Sequence, residues 1–379
     1  MLLLALIGAQ PSPAATDLAL PTIEAMRVQQ DYIGALTLAI AELESGAETG
    51  AAGTAEMVAR FAAIGALAYE ASEVSVARPA LDAALALARA RNDQAAVEVP
   101  LAEALIWRSL LARRTDGPGA AWPDLREAEA ILARHPSAVR AIGHLMQGLA
   151  NVTRSAKGSE AAVPLYRDAL AYRLANLPRP HIDIADNLVW LAWNLRQAGD
   201  TEAALTVADQ AERELCDLKR TGHTLMSTVL ELRFDAAAIR GDLDACDIFA
   251  RREVAIYEAA RSGFPFGHPR GAACSPDCYL RLLWVHLQAC EPELAFQAWE
   301  RSRAPVTRDL NRLSVWLQAA DAEQREELRA LEAALDAARS RLQTADVDPR
   351  SLAAATAKVL GARAARERWI RLRSRESRR

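Results

Sequence analysis

The sequence has few aromatic residues and few cysteines, and it lacks a long hydrophobic run. Aromatic side chains make up 5% of the 379 residues, and there are 5 cysteines. No stretch approaches the roughly 20 consecutive apolar residues that a transmembrane helix needs, so we expect no membrane span. The formal net charge is −4, and lysine occurs only at Lys157, Lys219 and Lys358. This charge argues against a protein that coats nucleic acid.

Sequence signatures of enzyme active sites are also absent. No Gly-x-Gly-x-x-Gly opens a helix after a strand, and neither a phosphate-binding Gly-Lys-Ser/Thr nor a Gly-x-Ser-x-Gly occurs. The 6 histidines are scattered and form neither a His-x-x-x-His nor a Glu-x-x-His pair. We therefore predict that the chain is not an enzyme and has no catalytic residues, no metal ion and no cofactor.

One segment with the composition of a loop, SGFPFGHPRGAACSPDC, holds Cys274 and Cys278 with His268 nearby. Three interpretations stay open: a metal site, a Cys–His nucleophile pair, or, in an exported protein, a Cys274–Cys278 disulfide. The first two lack further ligands or a supporting scaffold. The other cysteines fall in helical patterns, where we expect small packing residues. They are Cys216, Cys246 and Cys290.

Small residues recur at a nearly constant interval along most of the chain. Much of the apolar fraction, which is 51% of the sequence, is alanine, the strongest helix former. Equivalent small residues follow one another after 42, 44, 41, 42, 42 and 49 residues. They are Ala35, Ala77, Ala121, Ala162, Ala204, Cys246 and Ala295. Such a period predicts stacked helical hairpins, because a lone hairpin cannot bury its apolar face.

The clearest copies lie between Met146 and Ala211. Gly199 and Asp200 separate the two helices of one copy, since Gly suits the left-handed turn that ends a helix and Asp caps the next. The pattern resembles the tetratricopeptide repeat, in the longer variety of roughly 40 residues typified by kinesin light chains. The signature positions are Leu188, Leu191, Ala192, Leu195, Gly199, Ala204, Ala208 and Ala211.

This resemblance implies an all-α fold, a right-handed superhelical solenoid of about seven helical hairpins over residues 16–305. Residues 306–379 then form a long charged helical hairpin with a basic tail. Within it, Ala320–Leu342 reads as one helix whose apolar residues are spaced as in a coiled coil, and Asp348-Pro349 begins another helix. The basic tail is either a solvated end or a contact for RNA or lipid.

Residues 1–15 resemble a secretory signal. The apolar run Leu2–Gly8 precedes AQPSPAA, but no basic segment precedes the run. Either the segment directs export, which makes the protein periplasmic or secreted, or it is a frayed apolar N-terminus or a start site assigned too late. Without an export signal we expect a cytoplasmic protein.

The segment Tyr279–Arg379 carries a second resemblance. LAFQAWERSRAPVTRDLNRL, followed by a Leu-rich charged helix, resembles the junction in bacterial proteins that join these repeats to a CHAT domain, a caspase-like cysteine protease module. The family's catalytic His and Cys have no counterpart here. This resemblance implies an alternative function, the regulatory region of a protease system. A sensor module of a transcriptional activator is a third possibility, but it needs a nucleotidase or helix-turn-helix domain, and neither is seen.

In a tetratricopeptide superhelix the first helix of each hairpin lines the concave face, so the resemblance also implies the binding positions. They are Gln147, Asn151, Arg154, Val189, Trp193, Arg196, Glu231, Asp235, Leu280, Trp284 and Leu287. Arg154 and Arg196 occupy one place in successive repeats, where two guanidinium groups can hold a peptide carboxylate. Trp193 and Trp284 can anchor a peptide or pack between repeats. We predict a scaffold for a peptide or protein partner.

Overall fold

The computed structural model describes residues 53–90, 95–262, 277–303 and 320–343, with single positions between 35 and 43 and between 355 and 369. Every regular element with defined bounds in these residues is an α-helix, which confirms the predicted all-α solenoid class. The helices are α1 (Thr54–Glu70), α2 (Val74–Arg89), α3 (Glu98–Thr115), α4 (Pro118–Leu132), α5 (Val139–Lys157), α6 (Ser159–Asn176), α7 (Ile182–Gln197), α8 (Thr201–Asp217), α9 (Thr224–Arg240), α10 (Leu243–Ser262), α11 (Asp277–Gln288), α12 (Pro292–Arg303) and α13 (Ala322–Gln343).

The helices α1 to α12 pair in chain order as hairpins, and the hairpins fall into two compact units. Unit 1 contains α1–α6 and α13, and unit 2 contains α7–α12. In unit 1 the first helices of successive hairpins, α1, α3 and α5, contact one another directly, as do α7 and α9 in unit 2. The second helix of a hairpin packs on the first helix of the next, for example α2 on α3 and α8 on α9. Each unit therefore presents a layer of first helices.

The periodic small residues are buried, as expected for positions where two helices cross closely. Ala77, Ala121, Ala162, Ala204, Cys246 and Ala295 are all between 0% and 2% exposed. A larger side chain at such a crossing would push the two helices apart and cost about 1–3 kcal/mol. The same need for a small residue between packed helices explains Gly65, because a Cβ atom placed there would lie 2.4 Å from the Leu81 side chain on α2.

The turn between α7 and α8 has the predicted chemistry. Gly199 adopts a positive φ of 90°, and the Asp200 carboxylate accepts a hydrogen bond from the backbone N–H of Ala203 at 3.1 Å. The turn between α9 and α10 repeats it, with Gly241 at φ 71° and the Asp242 carboxylate accepting from the N–H of Ala245. Local sequence therefore sets where these helices end and begin.

The charged helix near the C-terminus is α13, and two apolar residues of its predicted seam are buried. Leu335 and Ala338 are buried, and the Trp369 indole N–H donates to a Glu327 carboxylate oxygen at 2.8 Å. Residues 358–362 are also helical. This contact joins α13 to Trp369, while the predicted hairpin over residues 306–379 lies largely outside the described residues and stays a prediction.

Two cysteine predictions need correction, and several predictions lie outside the described residues. Cys246 is a buried packing residue, whereas Cys216 and Cys290 are exposed. Helical periodicity alone did not separate the exposed face of a helix from its packed face at those positions. The signal-like residues 1–15, the Cys274–His268 loop and the boundary at residues 305–306 are not described, so their predictions stay untested.

Candidate partner-binding surface

Eight of the eleven predicted binding positions lie on the first helices of unit 2, and five of these eight are charged residues or tryptophans. Trp193 and Arg196 are on α7, Glu231 and Asp235 are on α9, and Trp284 is on α11. All five are half-buried, so each presents part of its side chain to solvent. The equivalent positions of successive repeats thus form a row across unit 2.

Arg196 is neutralised by its neighbours on α9. A guanidinium nitrogen of Arg196 lies 2.8 Å from a carboxylate oxygen of Asp235 and 3.3 Å from one of Glu231. A peptide carboxylate arriving at Arg196 would meet these two negative charges. Capture of a carboxylate by Arg154 and Arg196 together stays a prediction, and these ion pairs weigh against the part assigned to Arg196.

Arg281 on α11 and Glu253 on α10 extend the row, and the sequence did not single them out. The Arg281 guanidinium donates two hydrogen bonds to the Glu253 carboxylate, at 2.6 and 2.7 Å, and lies 3.8 Å from Glu231. Burial raises the pKa of Glu253, and the hydrogen bonds and charge of Arg281 oppose that rise. Burial lowers the pKa of Arg281, but Glu253 and Glu231 more than offset it, so Arg281 stays charged. Only the three-dimensional pairing of α10 with α11 reveals this bridge.

The two tryptophans pack against other aromatic rings while part of each stays accessible. The Trp193 ring meets Trp190 edge-on with centroids 6.2 Å apart, and the Trp284 ring meets Phe234 edge-on at 5.7 Å. Trp284 also packs against the buried cluster of unit 2. Both of the predicted roles, packing and presentation of an apolar surface, are compatible with these positions.

Helix α11 presents an apolar stripe to solvent. Leu280, Trp284 and Leu287 follow one another at helical spacing on one face, and Leu280 is 47% and Leu287 56% exposed. These are the positions that the sequence predicted for the binding face. Large apolar side chains exposed together on one helix mark an interaction surface more often than single exposed residues do.

In unit 1 the predicted positions on α5 are less accessible. Gln147 is buried, at 8% exposed, and the half-buried Asn151 accepts a hydrogen bond from the hydroxyl of the buried Tyr166 at 2.9 Å. Arg154 in the last turn of α5 is half-buried. In unit 2 Val189 on α7 is buried as well, so the expected exposure is wrong for Gln147 and Val189.

The described residues contain no group of three or more His, Cys, Asp or Glu side chains placed to hold a metal ion. None of the described helices is both long enough and apolar enough to cross a bilayer. What the surface of unit 2 offers chemically is an exposed apolar stripe beside a row of half-buried charges.

No protein-family model matches the chain, and no curated protein matches its sequence. The chain is similar to a crystal structure of BtubC (BKLC) from P. vanneervenii, at 14% identity and a TM-score of 0.38, over 74% of this chain and 91% of that chain. The all-α helical-repeat fold therefore rests on the geometry of this chain itself.

Proposed function

We propose that this chain is a non-enzymatic scaffold that binds a segment of a partner protein on the first-helix layer of unit 2. The observation that carries the proposal is the exposed stripe Leu280–Trp284–Leu287 on α11. Burial of apolar surface supplies most of the free energy of protein association, and aromatic anchors contribute strongly to it. A partner segment with apolar side chains at matching spacing fits this stripe.

The charges beside the stripe favour a basic side chain on that segment. Arg281 and Glu253 form a matched pair, and this leaves Arg196 facing both Glu231 and Asp235. One carboxylate is therefore in excess, and charge complementarity selects partners of opposite sign. The alternative is that Arg154 and Arg196 hold a peptide carboxylate. If they do, replacing both residues by Ala should weaken capture of the peptide while the chain stays folded.

The decisive experiment compares the proteins captured by the tagged chain with those captured by two double variants. Leu280→Ser with Leu287→Ser removes the stripe. Leu174→Ser with Ile248→Ser removes exposed apolar side chains of the second helices α6 and α10, at 42% and 56% exposure. We expect a partner that binds the wild type and the second variant but not the first. Equal capture by all three chains would contradict the assignment of the surface.

We also propose that the hairpins are right-handed tetratricopeptide repeats. The buried alanines at a steady interval and the packing of each second helix on the next first helix support this assignment. An experimental structure with the opposite superhelical sense would remove it.

A second candidate function is the regulatory region of a CHAT-type protease system. The hairpin contact between Trp369 and Glu327 agrees with the helical pair expected before such a module. The coding sequence that follows Arg379 tests the link. A continuation with the strands, His and Cys of a caspase-like protease supports it, and an unrelated gene counts against it.

A further inference from the structure

Three consecutive first helices of unit 1 are joined near their C-terminal ends by side chains that lie about one repeat apart. Arg113 on α3 donates hydrogen bonds to the Tyr69 hydroxyl on α1 at 3.3 Å and to the Ser155 hydroxyl on α5 at 3.1 Å. The guanidinium carbon of Arg114 lies 4.6 Å from the centroid of the Tyr69 ring. We call Tyr69, Arg113, Arg114 and Ser155 the basic ladder.

The arginines of the ladder differ in their partners from Arg108 and Arg196, two other arginines on first helices. Arg108 pairs with Asp124, and Arg196 pairs with Glu231 and Asp235. Arg113 is half-buried, yet among the described residues its partners are the two neutral hydroxyls, and its Nε is buried with no hydrogen-bond acceptor. Arg114 is exposed and contacts only the Tyr69 ring within that same set. Guanidinium groups normally take a carboxylate or phosphate as a two-pronged partner.

Further charged residues flank the ladder. Arg154 and Lys157 are the basic residues in the last turn of α5, the turn that also contains Ser155. Two acidic residues lie at these helix ends, Asp116 after α3 and Glu70 next to Tyr69. Asp116 pairs with Arg78 at 3.0 Å, and the hydrogen bond from Arg78 lowers the pKa of Asp116. The negative C-terminal dipoles of α1, α3 and α5 help to hold the arginines without a carboxylate.

An aromatic row lies on the same three helices. The Tyr69 ring is 5.7 Å from Trp107 on α3, and Trp107 is 5.5 Å from the ring of His144 on α5. Tyr69 therefore belongs both to this row and to the ladder. Rigid rings that flank guanidinium groups hold those groups in place and offer a surface to the apolar part of a ligand.

We infer that the basic ladder binds an anionic side chain, a carboxylate or a phosphate, on an acidic protein segment. The vacant hydrogen-bonding capacity of Arg113 and Arg114 supplies the recognition, and Tyr69 fixes their orientation. The net charge of −4 opposes a long polyanion such as nucleic acid but not a single anionic group at a local positive surface. This site lies in unit 1 and does not depend on the apolar stripe of unit 2.

The test measures binding of fluorescent short peptides to the intact chain by anisotropy at low and high salt. The probes are an oligoglutamate, a phosphoserine peptide of equal length, an oligolysine and a single-stranded oligonucleotide. We expect the anionic peptides to bind, and the stronger of the two identifies the source of the anion. Arg114→Gln, at an exposed position, and the double variant with Arg113→Gln should each weaken binding, the double by about tenfold or more.

Arg89→Gln is the matched control, because Arg89 is an exposed arginine on α2 that pairs with Glu127. It removes the same charge from unit 1 and should leave peptide binding unchanged, as should Leu280→Ser with Leu287→Ser. Equal weakening by Arg89→Gln, no binding of either anionic peptide, or binding of the oligonucleotide alone would overturn the inference. If Leu280→Ser with Leu287→Ser does not reduce capture of a partner, the proposed function is contradicted. Binding of anionic peptides to the basic ladder would be unaffected by that outcome.

Discussion

At the scale of the residue, Gly65 is set by a contact that a repeat pattern does not specify. An added Cβ would meet the buried Leu81 side chain at 2.4 Å. Gly65→Ala should therefore lower the free energy of unfolding by about 1–2 kcal/mol, although Ala is the better helix former. Gly119→Ala is the control, since Gly119 lies in α4 with no atom within 4 Å of the added group. In chemical denaturation, Gly119→Ala should leave the free energy of unfolding unchanged or raise it. A destabilised Gly119→Ala variant would contradict the explanation that the contact with Leu81 sets Gly65.

Glu98 gives unit 1 a predictable response to acid. Hydrogen bonds from Arg134 and then from His135 hold the pKa of Glu98 below its ordinary value of 4.5. A carboxylate with a lowered folded-state pKa stabilises the fold above its unfolded pKa, and the contribution is lost as pH falls through the folded-state value. We expect Glu98→Gln to remove about 1 kcal/mol at neutral pH and nothing once the carboxylate is protonated.

Urea denaturation across the range from neutral to acid pH measures this difference. Glu127→Gln serves as the comparison, because Glu127 and Arg89 form an exposed pair that contributes little. A difference between wild type and Glu98→Gln that stays constant with pH would contradict the assignment.

At the scale of the element, the bridge between Arg281 and Glu253 fastens α11 to α10. Glu253 is 5% exposed, so Arg281→Met leaves a buried carboxylate without its cation. This change should lower the free energy of unfolding by about 3 kcal/mol, because leaving a buried charge unpaired costs far more than the intact pair contributes to stability. The double variant Arg281→Met with Glu253→Leu should recover most of the loss. Thermal denaturation of the single and double variants measures both, and an equally unstable double variant would show that the pair does not act as a unit.

At the scale of the whole molecule, each hairpin α1–α2 to α11–α12 buries one small residue at the equivalent position. The same substitution is therefore expected to have a similar effect on stability in each of these hairpins. Cys246 holds the place that alanine holds in the other hairpins and is fully buried. Cys246→Ala should change the free energy of unfolding by less than about 1 kcal/mol, whereas Cys246→Leu should cost about 1–3 kcal/mol through overpacking. Equal stability of the two variants, measured by urea denaturation, would show that the crossing is not tightly packed.

The sequence by itself determined the helical class, the interval between hairpins and the turn chemistry at Gly199 and Asp200. These features depend on local propensity and on a period that many residues share. It also placed Leu280, Trp284 and Leu287 together, because residues at helical spacing share a face.

The tertiary structure alone decided which of the predicted positions are accessible and how the charges are paired. Gln147 is buried, Arg196 meets two carboxylates, and Arg281 bridges to Glu253, while Arg113 meets hydroxyls. Those partners lie on other helices, so their identity depends on the rotation and approach of packed helices. Periodicity specifies the spacing of the first helices along the chain, but it does not specify which side chains meet across their contacts.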